Sequence, residues 1–232
     1  KHGADQRFRA AAFGMGIERE YSSPRDFLAQ FGCRNLLDQV ARSECRGDAK
    51  IDREMIADRA IITTARLILG EATVEHAPFF YELLNSETWL AHIGNRGILT
   101  IDHASKYIEN SLGRHYAVHG FGLWLVALRE TEEPIGICGI LRRAGLAHPD
   151  LGFAFLPEFE GQGLAREAAV ATLEFAANEL DIHEIWAITT EANIRSRKLL
   201  LKVGFEEKGT VILPGETKPL LLYGIEQSSQ AI

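Results

Sequence analysis

Cysteine is scarce in this chain: Cys33, Cys45 and Cys138 are the only three, and none forms a C-x-x-C pair. A sparse, odd count offers no disulfide framework and suits a reducing compartment. Long apolar runs are also missing, since no stretch approaches the ~20 residues of a membrane-crossing helix. No basic segment followed by an apolar one reads as a secretory signal. The cytoplasm is therefore the expected location, with no membrane partner. An excess of positive charge is lacking too. The formal net charge is −7 over 232 residues, which argues against nucleic acid or an anionic lipid surface as partner. The same balance is compatible with a cationic amine. His115 and His119 stand at helical i, i+4 spacing, but no H-E-x-x-H pattern surrounds them and no third ligand is evident, so no metal is expected. Neither G-x-x-x-x-G-K-[ST] nor G-x-G-x-x-G occurs.

What is present centres on Asp150–Ala169, D-L-G-F-A-F-L-P-E-F-E-G-Q-G-L-A-R-E-A-A. Leu151, Phe153 and Phe155 alternate with Gly152, Ala154 and Leu156 as in a strand, and Pro157 ends the run. Glu160, Gly161, Gln162 and Gly163 make a turn, after which Leu164, Ala168, Ala171 and Phe175 mark one helical stripe to about Leu180. A Gly-rich turn from a strand's end into a helix presents backbone N–H groups at the positive end of the helix dipole, and its glycines admit a phosphate closely.

The remaining order is α+β. Ile61–Leu69 reads as one strand from its β-branched content. Helical segments follow near Glu71–Asn85, where Pro78 delays the regular part, near Glu87–Ile93, and over Asp102–Leu112 with Asp102 as cap. Gly122–Leu128 and Pro134–Leu141 form a hairpin that turns through Arg142–His148 into Asp150–Leu156. Glu184–Thr190 is a buried strand parallel to Asp150–Leu156 through the crossover helix. Asn193–Val203 is a helix ended by Gly204, and Glu206–Leu213 with Lys218–Ile225 form a last hairpin around L-P-G-E-T. Upstream, residues 1–58 read as a helical extension: Ser23 caps a helix with Pro24 at N1, and Gly47 stops the pattern. Packing on the main domain is its first expected use; a homodimer contact, or upstream sequence without function, are the alternatives. The main domain is expected over residues 59–232.

The turn resembles the Q/R-x-x-G-x-G/A signature of the GNAT superfamily of N-acetyltransferases, with Glu160, Gly163 and Ala165 at the three key places. N-I-R-S-R-K-L-L-L-K-V-G-F, Asn193–Phe205, resembles the second signature, and T-x-R-L-x-L at Thr64–Leu69 resembles the opening strand of the RimJ/RimL-like branch. The resemblance implies a mixed, mostly antiparallel sheet flanked by helices. In it the strands Asp150–Leu156 and Glu184–Thr190 splay apart at the site of acetyl-CoA, the cosubstrate. It implies acetyl transfer to a primary amine, on a peptide N-terminus or a small molecule. A catalytically silent CoA-binding scaffold and transfer of a longer acyl chain are the alternatives.

On this reading the amides of Gln162, Gly163, Leu164 and Ala165 hold the diphosphate. Glu160 replaces the usual Gln or Arg, so it points away or contributes only its backbone, and Arg166, Arg195 or Lys198 supply positive charge. Phe155 and Leu156 pair with the pantetheine amides, and the Leu156 N–H polarises the thioester carbonyl. An acceptor amine is protonated at neutral pH and needs a base. Asp150, where relatives often carry Glu, is the first candidate and Glu216 the second. Leu200 stands where many members have a Tyr acid, so Ser196 is expected to hydrogen-bond the leaving sulfur. Asn193 bonds the pantetheine or the strand backbone, caps its helix, or does both.

Overall fold

A computed structural model describes residues 8–11, 18–21 and 56–227. The chain divides into two compact units, Lys1–Arg53 and Glu54–Ile232. In the first, β1 (Phe8–Ala11) and β2 (Glu18–Tyr21) pair antiparallel. The helices expected between Ser23 and Gly47 lie outside the described residues.

The second unit is built on one eight-stranded sheet of order β3-β4-β5-β6-β7-β8-β10-β9. Its strands are β3 (Ala60–Thr63), β4 (Leu67–Gly70), β5 (Leu123–Leu128), β6 (Pro134–Leu141), β7 (Asp150–Phe155), β8 (Glu184–Thr189), β9 (Glu206–Val211) and β10 (Leu220–Glu226). All pairings in it are antiparallel except that of β7 with β8. The architecture is the mixed, mostly antiparallel α+β fold expected.

Ile61–Leu69 is a hairpin rather than one strand. Thr64 reverses the chain: its N–H donates to the Leu67 carbonyl at 2.9 Å, and the Leu67 N–H donates back to its Oγ1 at 2.9 Å. A side-chain-supported turn thus overrides a run that β-propensity alone reads as continuous.

A series of short helical elements fills the chain between β4 and β5. A 3-10 turn, Val74–His76, leads into α1 (Ala77–Asn85), with Pro78 in its first turn where a missing N–H costs nothing. Then come α2 (Glu87–His92), capped by Ser86, and α3 (Ile101–Tyr107). The cap of α3 is Thr100 and not Asp102: the Thr100 Oγ1 accepts the His103 N–H at 3.2 Å, while Asp102 is spent on Lys106 at 2.7 Å. A π-helical turn, Ile108–Gly113, continues into α4 (Arg114–His119), closed by Gly120 in the left-handed region. Beyond β7, α5 (Leu164–Asn178) lays Ala168, Ala169, Thr172, Leu173 and Ala176 against the sheet, and Phe175 meets the Trp124 ring edge-on at 5.4 Å. α6 (Ile194–Lys202) separates β8 from the closing hairpin.

β5 and β6 are buried almost throughout, which is why both read as unbroken apolar runs. Close approach between them needs Gly139, where a Cβ would collide with the Gly122 carbonyl.

The sheet's decisive irregularity lies at its centre. β7 pairs with β6 over six positions, and β8 pairs with β10 over six, but β7 and β8 pair with each other only at Asp150↔Trp186. There the Trp186 N–H reaches the Pro149 carbonyl at 2.8 Å. Beyond that point the two parallel strands diverge, as the family resemblance implies.

Candidate functional site

Strand geometry decides which backbone groups face the gap. The Leu156 N–H donates to the Ile135 carbonyl of the neighbouring strand at 2.9 Å. Alternation along an antiparallel ladder then turns the N–H and C=O groups of Phe153 and Phe155 toward β8, where pairing has stopped. The oxyanion role expected for the Leu156 N–H is therefore corrected: that amide is already spent inside the sheet. The backbone groups of Phe155, and of Phe153 two residues earlier, face the gap instead. The side chains of Phe155 and Leu156 are both buried in the core.

At the end of the gap, a 3-10 turn (Pro157–Phe159) leads through Gly161 (φ 76°) and Gly163 (φ 78°) into α5. Left-handed φ at both is strained for any residue with a Cβ. The first amide of this segment to join the helical ladder outside the turn is that of Glu167, which donates to the Gly163 carbonyl at 3.0 Å. The amides of Gln162, Gly163, Leu164 and Ala165 precede the ladder and donate to no loop or turn carbonyl among the described residues. Leu164 is buried and anchors the turn, while Arg166 and Lys198 are exposed.

Glu160 pairs with Arg195 on α6. Arg195 is thereby committed to a carboxylate instead of standing free for a ligand. A cation that sequence reasoning missed, Arg66, stands beside the turn and is likewise paired with a carboxylate. The Arg66 Nε donates to Glu167 Oε2 at 2.6 Å, and its Nη1 to the Gln162 carbonyl at 3.1 Å. Glu167 also accepts from Thr64 Oγ1 at 2.6 Å and from the Arg66 N–H at 3.0 Å. This lattice fastens the β3–β4 turn to the first turn of α5 and holds a guanidinium beside Gly163. The signal was T-x-R-L-x-L itself, which spacing alone does not connect to a turn about a hundred residues on.

Next to the divergent strands lies a cavity of about 600 Å³, within the range of small-ligand sites. One wall is β7 from Asp150 to Ala154, the end of β8, and Asn193, Ser196 and Leu200 of α6. The opposing wall comes from α2, α3 and the Glu216 hairpin tip. Asp150, Glu216, Asn193 and Ser196 are thus brought together; Phe155, Leu156 and Gln162–Arg166 lie outside this cavity.

Asp150 is only 1% exposed. Both its carboxylate oxygens accept from Arg143 Nε, at 3.1 and 2.9 Å. Burial pushes its pKa up to about 6, against the opposing pull of the Arg143 charge. Arg143 was not singled out from the sequence, because its turn carries no motif. The Asn193 Oδ1 accepts the Ser196 N–H at 3.0 Å, so Asn193 caps α6. The Ser196 hydroxyl has no partner among the described residues. The His115 Nε2 accepts the Arg142 N–H at 3.3 Å. Burial, then the charges of His119 and Arg143, lower its pKa and keep the ring neutral. Among the described residues no group of three or more His, Cys, Asp or Glu could hold a metal ion, and no helix is long and apolar enough to cross a membrane.

The divided parallel pair ending in a Gly-rich helix entry agrees with the family resemblance, and comparison with known proteins is specific. The Acetyltransferase (GNAT) domain family matches residues 66–206, and the chain belongs to that family. The N-acetyltransferase YnaD of Bacillus subtilis, itself uncharacterised, is 27% identical over 148 residues, 64% of this chain and 84% of its own. The FsC-acetyl coenzyme A-N(2)-transacetylase of Aspergillus fumigatus is 26% identical over 163 residues, 67% of this chain and 69% of its own. Among solved structures, the RimL ribosomal L7/L12 alpha-N-protein acetyltransferase in complex with coenzyme A shares the fold. It superposes with a TM-score of 0.63 and 17% identity, covering 74% of this chain and 99% of that one. The protein is an acyltransferase of the GNAT type, a fold that uses acetyl-CoA.

Proposed function

We propose that this protein transfers the acetyl group of acetyl-CoA to a primary amine, on a peptide N-terminus or a small molecule, by direct attack in a ternary complex. The observation that carries this reading is the single-position pairing of β7 with β8. It leaves the amide groups of Phe153 and Phe155 for the pantetheine arm to pair with, much as an added strand would. The diphosphate fits the amides of Gln162–Ala165, and the Arg66 guanidinium, shared with Glu167, stands beside Gly163.

The thioester supplies an acyl carbon open to nucleophilic attack; the chain supplies position and proton handling. Asp150, with a pKa near 6, is ionised at neutral pH yet basic enough to take a proton from an ammonium held in the cavity. Its pairing with Arg143 uses one lone pair on each oxygen and leaves others for the amine. Glu216, exposed on the hairpin tip, is the second candidate base. The Ser196 hydroxyl, which lines the cavity, hydrogen-bonds the leaving sulfur in this reading. Leu200, 1% exposed, leaves no side-chain acid at the position where many members of the family carry Tyr. The RimL neighbour's action on a ribosomal-protein N-terminus supports the peptide arm of the proposal.

The test is thiol release from acetyl-CoA against peptides with free N-termini, amino acids, polyamines and aminoglycosides. Amine-dependent release, with the acetyl group found on nitrogen by mass spectrometry, is expected. Tight CoA binding with no amine-dependent release would identify a silent binder instead.

A further inference from the structure

The charge of the cavity runs against the charge of the chain. The whole protein carries −7, yet the cavity is lined by four cationic side chains, Arg96, Arg142, Arg143 and Lys218, and two carboxylates, Asp150 and Glu216. Arg143 is neutralised by Asp150. Arg96, Arg142 and Lys218 have no carboxylate within ion-pair distance among the described residues.

Exposed cations at a rim are ordinarily solvated and carry little meaning. Here a second observation lies deeper. Trp89 lines the cavity and is only 4% exposed, and its Nε1–H has no acceptor among the described residues. An indole N–H can only donate, so the partner it lacks is an oxygen acceptor. The Nδ1 of His92, one turn further along α2, is likewise buried without a partner. Tyr107 adds a third group: burial raises its pKa against the charges of Arg96 and Arg143, so its hydroxyl stays protonated and able to donate. Among the described residues, the buried unpartnered polar atoms of Trp89, His92 and Thr190 all line this cavity, whereas that of Trp124 lies in the core away from it.

We propose that the acceptor is an anionic amine. Its amine lies at Asp150, and a carboxylate a few bonds away is taken by Arg96 and Arg142, with Trp89 donating to an oxygen of the same molecule. This rests on the acetyl-transfer reading above and narrows it. A polyamine or aminoglycoside would set further positive charge against those same guanidinium groups, so the acidic balance of the whole chain misleads about its substrate. The carboxylate can be the α-carboxylate of a free amino acid or an acidic side chain near a peptide N-terminus; the chemistry recognised is the same.

Matched acceptors separate the cases. Serine against serinamide tests the α-carboxylate, and the peptide amides Ser-Glu-Ala and Ser-Gln-Ala test the side chain. In at least one pair the carboxylate member is expected to show kcat/KM about 10- to 100-fold higher, the effect of one or two charge-assisted hydrogen bonds. The double variant Arg96→Gln, Arg142→Gln should shrink that ratio toward one. Calorimetry on the CoA-loaded protein, with N-acetylserine against N-acetylserinamide and the corresponding acetylated peptides, reads the same preference without turnover. Equal or better use of the neutral members, or of polyamines, overturns this inference and leaves acetyl transfer standing. Preferential binding of the anionic products with no turnover of any amine sinks the acetyl-transfer reading and keeps the anion site. Absence of preference in both turnover and binding overturns the anion site outright.

Discussion

Replacing Asp150 by asparagine is expected to lower kcat by about 10²- to 10⁴-fold, the usual contribution of a positioned general base, without loss of stability. The two halves of that result come from one fact. Asp150 is a carboxylate taken out of water, and burial outweighs the Arg143 charge to raise its pKa from an ordinary 3.8 to about 6. The sign follows directly. Below about pH 4 the group is protonated in both folded and unfolded chains and has no effect. As pH rises from about 4 to about 6 the unfolded chain ionises first, and the folded state is progressively penalised. Above that window the penalty is constant, on the order of 3 kcal/mol for a pKa difference of about two.

Asparagine removes the charge and keeps the shape. The Asp150→Asn protein should therefore match the wild type near pH 4 and exceed it in stability at pH 7, as read by urea denaturation at the two pH values. Arg143, 34% exposed, can hydrate when its partner becomes neutral. Wild-type turnover should rise through an apparent pKa near 6 to a plateau, and the variant should lose that limb. If Asp150 merely braced the turn from β6, the variant would unfold more easily and keep its turnover per folded molecule.

Gly163→Asp is expected to raise the KM for acetyl-CoA by about 100-fold, equivalent to roughly 2.7 kcal/mol, with a far smaller change in kcat. Gly163 holds φ at 78° at the cap of α5. Asp is among the few residues that tolerate this region, and as a cap it accepts from the helix's first amides. Those are the amides assigned to the diphosphate, so the new carboxylate would occupy the site from within and repel the ligand as well. The strain of the left-handed backbone and the gain of a cap offset each other, which keeps the unliganded fold within about 1 kcal/mol of wild type. Gly163→Asn, with the same reach and no charge, should fall between the two in KM. The measurement is initial rate against acetyl-CoA at saturating amine for all three proteins.

Much of the fold was legible because it rests on short-range rules. The alternation of Asp150–Leu156, the stop at Pro157 and the turn glycines located β7 and α5 to within two residues at each end. The parallel relation of β7 and β8 followed from the crossover helix between them. Where reading failed, a side chain had answered a local question differently from the backbone average. Thr64 turned one expected strand into two, and Thr100 took the cap that Asp102 left for Lys106. The site was legible in the same uneven way. Asp150, Asn193, Ser196 and Glu216 do share one cavity, since each sits at the end of a recognisable element. Arg66 and Arg143 were missed because each acts through a side chain or carbonyl elsewhere in the fold, and charge in a turn carries no periodicity. The Leu156 amide was misassigned by one residue; in a strand a shift of one reverses the direction of every N–H, and only the register with β6 settles the parity.

The central claim is that acetyl-CoA lies in the opening between β7 and β8 with its diphosphate on the turn before α5. Amide hydrogen exchange at single-residue resolution, with and without acetyl-CoA, tests it most directly. The account predicts new protection at Phe153, Phe155 and Gln162–Ala165, and little change at Leu156, whose N–H is already held by Ile135. Protection confined to other parts of the sheet, or exchange at the turn amides unaltered by saturating acetyl-CoA, would contradict it.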